Sequence, residues 1–328
     1  MNKRRREIIA ANEVSELRTY LLGGYEQKVA LDGKSKDLPI GLCLHGGPGS
    51  PIPFSVGCRG MFPEFTERFI MVYWDQFGCG INNHKIDDSF SIDTFVDMTT
   101  ELIAELKKEF PNNILILLGV SWGSVLAAEA AARMPDKVDG VLIYGQVIMN
   151  LFFNDECFGT LQSSAVPAKT KERIGLLQQK ENYTLDDIQL FAKCIRKYTD
   201  GYQNKSGEKL PMGPIIRGLL TSPDYSVKDV TAIVKNGFMK NKSIWNELLQ
   251  IDLRDTLRGI RVPYRIIQGS TDIVTSTKSV TEFVEQCGNE SLSLRVLPGN
   301  GHMTGPNGMN EVLSEGVELT ERILASRQ

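Results

Sequence analysis

The stretch "LGVSWGSV", Leu118 to Val125, decides how the rest of the chain is read. It brackets one serine, Ser121, between Gly119 and Gly123, directly after the apolar run "ILILL". Small residues two before and two after a hydroxyl mark a backbone too crowded for side chains. With an apolar run ahead and the Ala-rich "SVLAAEAAARM" behind, Ser121 falls on a sharp strand-to-helix turn. Such a turn strains the backbone and lifts the hydroxyl above the sheet. The N-terminus of the following helix then favours developing negative charge.

Similar apolar runs recur on both sides: "PIGLCL" (39–44), "FIMVYW" (69–74), "GVLIYG" (140–145), "PYRIIQG" (263–269) and "LSLRVLP" (292–298). Continuous apolar character without alternation predicts fully buried strands of a parallel sheet covered on both faces. Helical patterns lie between them. One follows Ser91 and stops at Pro111; the Ala-rich one stops at Pro135 and can approach the sheet closely. Upstream, "RTYLLGGYEQKVALDG" reads as an antiparallel hairpin leading into the sheet. The expected class is α/β, with a mostly parallel central sheet and helices on both faces.

The alternation breaks between roughly Val147 and Gln250, where amphipathic helices take over. After a Thr184 cap, Leu185, Ile188, Phe191, Ile195 and Tyr198 form one stripe; after Ser226, so do Val227, Val230, Ile233, Val234 and Phe238. We expect residues 1–147 and 251–328 to build the core and residues 148–250 a helical lid over the sheet edge.

Composition narrows the function classes. A net charge of −3 in 328 residues gives no reason to expect a nucleic-acid partner. The longest stretch without Asp, Glu, Lys or Arg, Leu38 to Cys58, is broken by glycines and prolines and cannot be a spanning helix, so stable membrane insertion is not expected. The basic cluster Lys3–Arg6 precedes only "IIAA", too short for a secretory apolar region, and reads as a solvated end. The six cysteines show no CxxC spacing and read as free thiols in a reducing cytoplasm. None of His45, His84 and His302 pairs with another at metal-ligand spacing, so neither metal nor organic cofactor is expected.

A serine hydroxyl needs a base, and the base needs an acid to orient it. On sheets of this kind the chain order is serine, acid, histidine. His302 is the only histidine after Ser121, and it ends the run "RVLPGNGHM"; Asp272 ends the run "IIQGSTDIV". Asp252 and Asp255 precede the strand and are expected to cap or solvate a helix. The loop "LHGGPGSP" (44–51) directly follows a strand. Carbonyl attack creates an oxyanion that wants two preorganised N–H donors. Gly47 and Trp122 are the expected main-chain donors. His45 is expected to shape the loop and His84 to be an ordinary polar loop residue. A phosphate cradle is the competing reading, but the loop lacks G-K-[ST] and Pro48 removes a donor.

Taken in order, "HGGPGS", "DQFGCG" (75–80), "GVSWGS", "GSTD" (269–272) and "GNGH" (299–302) resemble the proline iminopeptidases of the α/β-hydrolase fold. The resemblance covers about residues 38–146 and 263–305. It implies a Ser121–His302–Asp272 triad, Gly47 and Trp122 as oxyanion donors, and release of an N-terminal residue, often proline, from a small peptide. It also implies lid carboxylates that hold the substrate amine, for which Glu247 in "WNELLQ" is the candidate, with Gly46 of the glycine loop as a second substrate contact. The chain departs from the family at Phe77, where arginine is usual, and at Ile273, where one branch carries glutamate. A carboxylesterase or small-amide hydrolase of the same fold is the alternative, and a non-catalytic ligand receptor the third reading. A serine at position 121 disfavours the alkyl-enzyme chemistry that an aspartate would support.

Overall fold

A computed structural model describes residues 3–327. Among them one sheet is built from β1 Val14–Leu22, β2 Tyr25–Gly33, β3 Ile40–Leu44, β4 Ile70–Trp74, β5 Leu115–Val120, β6 Gly140–Tyr144, β7 Tyr264–Gly269 and β8 Leu292–Leu297. Its spatial order is β1-β2-β4-β3-β5-β6-β7-β8. The hairpin β1–β2 joins β4 antiparallel, and every pair from β4 to β8 is parallel. All six apolar runs of the sequence are therefore strands of the parallel part.

Helices α1 Lys3–Ala11, α2 Pro63–Thr66, α3 Ile92–Glu109 and α4 Trp122–Arg133 belong to the first half. Between β6 and β7 lie α5 Asp155–Ser163, α6 Ala168–Leu177, α7 Leu185–Tyr198, α8 Met212–Leu220, α9 Val227–Val234, α10 Lys242–Gln250 and α11 Arg254–Arg258. Helix α12 Thr277–Gln286 links β7 to β8, and α13 Pro306–Ser326 follows β8. Ser91 and Thr94 close a reciprocal cap at the start of α3, and Thr184 and Asp187 do the same for α7, so two of the boundaries legible in sequence have their physical cause in the orphan N–H groups of a helix start.

Alternate residues of one strand serve opposite layers. Leu115 and Leu117 of β5 pack with α3 and α4, while Ile116 packs with Leu319 and Ile323 of α13. Burial on both faces explains why these strands read as unbroken apolar runs. Strand β8 is the exception. It pairs only with β7 and leaves Ser293 and Val296 exposed, so the expectation of a fully buried strand fails at this edge, where among the described residues no further strand follows.

Two further expectations are corrected. The Lys3–Arg6 cluster is not wholly a solvated end: Arg5 is buried and donates to the carbonyls of Arg59, Gly218 and Gly57, fastening α1 to the core and to α8. The stripe after Ser226 is also shorter than read. Helix α9 ends at Val234, and Val227 and Val234 face solvent while Ala232 and Ile233 are buried.

The chain leaves β3 toward β4 on one side and returns to β5 on the other. A crevice opens outside the carboxyl ends of strands where such an order reverses. The glycine loop leaves β3 and Ser121 leaves β5 at this point.

Candidate active site

Ser121 stands between β5 and α4 with φ 52 and ψ −117, a conformation that L-residues avoid at a cost of about 1–3 kcal/mol. Its N–H donates to the carbonyl of Tyr144 at 3.0 Å, which pins the turn to the end of β6. The flanking glycines are required by close approach. A Cβ on Gly123 would stand 1.8 Å from the carbonyl oxygen of Leu44, and one on Gly119 would stand 2.6 Å from Ile143 and 3.0 Å from the oxygen of Gly123. The small residues that opened the sequence reading thus let β3, β5 and α4 meet.

His302 follows β8. Its Nε2 lies 2.9 Å from Ser121 Oγ, and its Nδ1 lies 2.8 Å from Asp272 Oδ2. All three residues are buried. Asp272 has a full set of partners. Oδ1 accepts from the N–H groups of Val274 and Thr275 at 2.8 and 3.1 Å; Oδ2 also accepts from the Thr275 hydroxyl at 2.7 Å and the Gln268 amide at 3.2 Å. Five hydrogen bonds hold a carboxylate whose removal from water would otherwise be costly. The His302 loop is fastened too: the Tyr144 hydroxyl donates to the Gly301 carbonyl at 2.7 Å.

A family model described as "alpha/beta hydrolase fold" matches residues 42–307. The chain belongs to the α/β hydrolase family. Among curated relatives of this hydrolase, the probable aminopeptidase YbaC of Bacillus subtilis is 24% identical over 276 residues, covering 81% of this chain and 83% of the relative. A proline iminopeptidase of Thermoplasma volcanium is 26% identical over 275 residues, covering 80% and 82%. Among solved structures, the proline iminopeptidase of Mycobacterium smegmatis has a TM-score of 0.63 at 20% identity, covering 95% of this chain and 100% of that one.

Three of the hydrolase's sequence motifs are joined by one side chain. Gln76 of "DQFGCG" accepts the Trp122 indole N–H at 2.8 Å, donates from its amide to the His45 carbonyl at 3.3 Å, and donates from its main chain to His45 Nε2 at 3.0 Å. Burial pushes His45 down to about 4, so it is a neutral acceptor at neutral pH. That agrees with the expected shaping role. His84 is more than a loop residue: it stacks on Phe77 with ring centroids 4.8 Å apart. The neighbouring Asp75 is wholly buried. Burial pushes its carboxyl up to about 6, opposed by the Tyr225 hydroxyl and the N–H groups of Ile81 and Val56.

Gly46 and Gly47 both line a cavity of about 200 Å³ that contains Ser121 and His302. A Cβ on Gly46 would come within 3.4 Å of Ser121 Cβ, so its loop closes directly on the serine. The Trp122 N–H belongs to the first turn of α4, where no intrahelical acceptor exists. Glu247 is not part of this site. Its carboxylate accepts the Ile92 N–H at 2.8 Å, serving the start of α3, and it does not line the cavity. The expectation of an amine anchor there is corrected: an "NE" pair on an amphipathic helix carries no record of which way the helix turns. Asp252 and Asp255 pair locally with Arg254 and Arg258, as expected of helix-start residues.

Sequence reasoning missed Thr275, Gln268 and Tyr144, which hold Asp272 and the His302 loop, and Arg196, Tyr202 and Phe152, which line the cavity from the helical segment or its entry. Thr275 lay three residues past Asp272 and could have been found as an Asx-type partner of the acid. The lining residues of the helical segment left no such signal.

Proposed function

We propose that the chain is a serine hydrolase that cleaves a small amide or peptide through an acyl-enzyme, and that it acts as an aminopeptidase on short peptides. The hydrogen-bonded line Ser121–His302–Asp272 carries this reading. In the proposed course His302 takes the hydroxyl proton as Ser121 Oγ attacks the carbonyl carbon. Asp272 fixes the imidazole tautomer and steadies the imidazolium. The main-chain N–H groups of Gly47 and Trp122 receive the oxyanion. The C–N bond then breaks and the departing amine takes the proton from His302. Water repeats the path on the acyl-enzyme, releasing the acid and free Ser121.

Residues 148–250 act in this reading as a lid. Their place between β6 and β7 supports it, as do the contacts from His302 N to the Gly201 carbonyl at 3.0 Å and from Asn236 to the Gly49 carbonyl at 2.8 Å. The relatives, a probable aminopeptidase and a proline iminopeptidase, support the substrate class. Among the described residues no helix is long and apolar enough to cross a membrane. The cysteines are free thiols, five of them buried, and we place the enzyme in a reducing cytoplasm.

A second reading, an esterase or amide hydrolase indifferent to a substrate amine, is favoured by one observation: among the described residues no Asp or Glu lines the cavity at Ser121. Proline and alanine arylamides, their N-acetylated forms and plain p-nitrophenyl esters, assayed with Ser121→Ala as control, separate the two. Loss of rate on acetylation supports the aminopeptidase; equal rates support the alternative.

A further inference from the structure

We infer that Arg196 is the specificity-determining residue of the Ser121 cavity and that the substrate carries a carboxylate for it to bind. This deepens the serine-hydrolase reading of the same cavity and rests on it.

Among the described residues, Arg196 and His302 are the side chains lining the cavity that can carry a positive charge, and no Asp or Glu lines it beside Arg196. The His302 imidazole is already engaged between Ser121 and Asp272. Arg196 is exposed at the cavity rim; other arginines of the described residues, among them Arg59, Arg133, Arg265 and Arg295, are matched to Asp or Glu within 4 Å. Arg196 has no such pair. Its Nη2 donates to the Tyr202 hydroxyl at 3.3 Å, and its guanidinium lies 4.4 Å from the centre of the Tyr202 ring.

That contact sets the guanidinium over one aromatic face and leaves other N–H groups for a planar acceptor. A carboxylate fits this fork with two parallel hydrogen bonds, whereas an ammonium would be repelled. The placement is rigid from below. Helix α7 carries Arg196 in its last turn and is anchored by buried Ile188, Phe191 and Ile195. Tyr202 is bound to the catalytic loop, since its carbonyl accepts the Met303 N–H at 2.8 Å and its ring lies 6.1 Å from the His302 ring. The cation is therefore indexed to the triad. Val120, Leu151, Phe152, Val274 and Met303 supply apolar lining. The site suits a small, mostly apolar molecule with one carboxylate, either the C-terminal carboxylate of a short peptide or an acid on the acyl half.

The test is protection of Ser121 from a fluorophosphonate probe, which needs no turnover. Two matched pairs are compared: prolyl-alanine against prolyl-alaninamide, for a carboxylate on the leaving-amine side, and monomethyl against dimethyl succinate, for one on the acyl side. We expect the acid of one pair to slow labelling at a concentration roughly tenfold lower than its neutral partner. The pair that responds identifies the side. Arg196→Met, which keeps the aliphatic stem, removes the preference, and Arg196→Lys restores part of it. The ratio is taken within each protein, so a change in labelling rate does not enter. Acids no better than their neutral partners in both pairs, or a preference that survives in Arg196→Met, overturns the assignment. If Ser121 fails to label without any protector, the hydrolase reading itself falls and the subsite with it.

Discussion

The Thr275 hydroxyl and the His302 imidazole meet at one atom: both hydrogen-bond to Asp272 Oδ2, at 2.7 and 2.8 Å. The acid is thus held in place by a residue three positions along its own chain. Thr275→Val keeps the shape and deletes the donor. We expect kcat to fall about tenfold, or about 1.4 kcal/mol on the barrier, as Asp272 loses a donor, and the unfolding free energy to fall by about 1–3 kcal/mol for the lost buried hydrogen bond. Steady-state kinetics beside a urea titration checks this.

The triad should behave as a unit. Ser121→Ala and His302→Ala each lower kcat by roughly 10⁴–10⁶, and the double variant is scarcely worse than either alone. Asp272→Asn leaves the geometry but presents an N–H where an acceptor is needed, giving a loss of about 10⁴. Single-turnover rates on an activated ester measure all four.

Gly123→Ala tests the close approach of α4 to β3. The new methyl would stand 1.8 Å from the Leu44 carbonyl oxygen, backbone that cannot move without parting β3 from β5. Destabilisation of roughly 3 kcal/mol or more is expected, read from denaturant midpoints.

The pH dependence of stability has a worked sign. His45 has its folded pKa lowered by burial from 6.5 to about 4. Its contribution is present above 6.5 and is lost as pH falls toward 4. Asp75 runs the other way: raised by burial from 3.8 to about 6, its contribution is present below 3.8 and is lost as pH rises through 6. The two oppose each other across the acid range. His45→Gln keeps an acceptor for the Gln76 N–H and removes the first contribution. The variant should therefore gain on the wild type by about 2 kcal/mol between pH 7.5 and pH 5, measured by urea unfolding at both.

Much of this site was legible because its parts are local. A strand, a glycine-flanked serine and a helix lie in consecutive residues, and Asp272 and His302 each lie in the loop just after a strand. Period and chain order therefore located them. The hairpin, the helix start after Ser91 and the Thr184 cap were legible for the same reason. Arg5, Glu247 and Arg196 were not. A charged residue on an amphipathic helix looks alike whether it meets solvent, a helix start or a cavity, and only the packing of α1, α10 and α7 decides. β8 shows the same limit, since its apolar pattern carries no sign that it would be the last strand.

The central claim is that Ser121 is made nucleophilic by His302. Intact-mass and peptide-level spectrometry after brief exposure to a fluorophosphonate tests it most directly. The account predicts a single adduct on the Ser121 peptide of the wild type, none on that peptide in Ser121→Ala, and a labelling rate lowered by about 10³ or more in His302→Ala. An unmodified Ser121 in the wild type, or equal labelling of it in His302→Ala, would contradict the account.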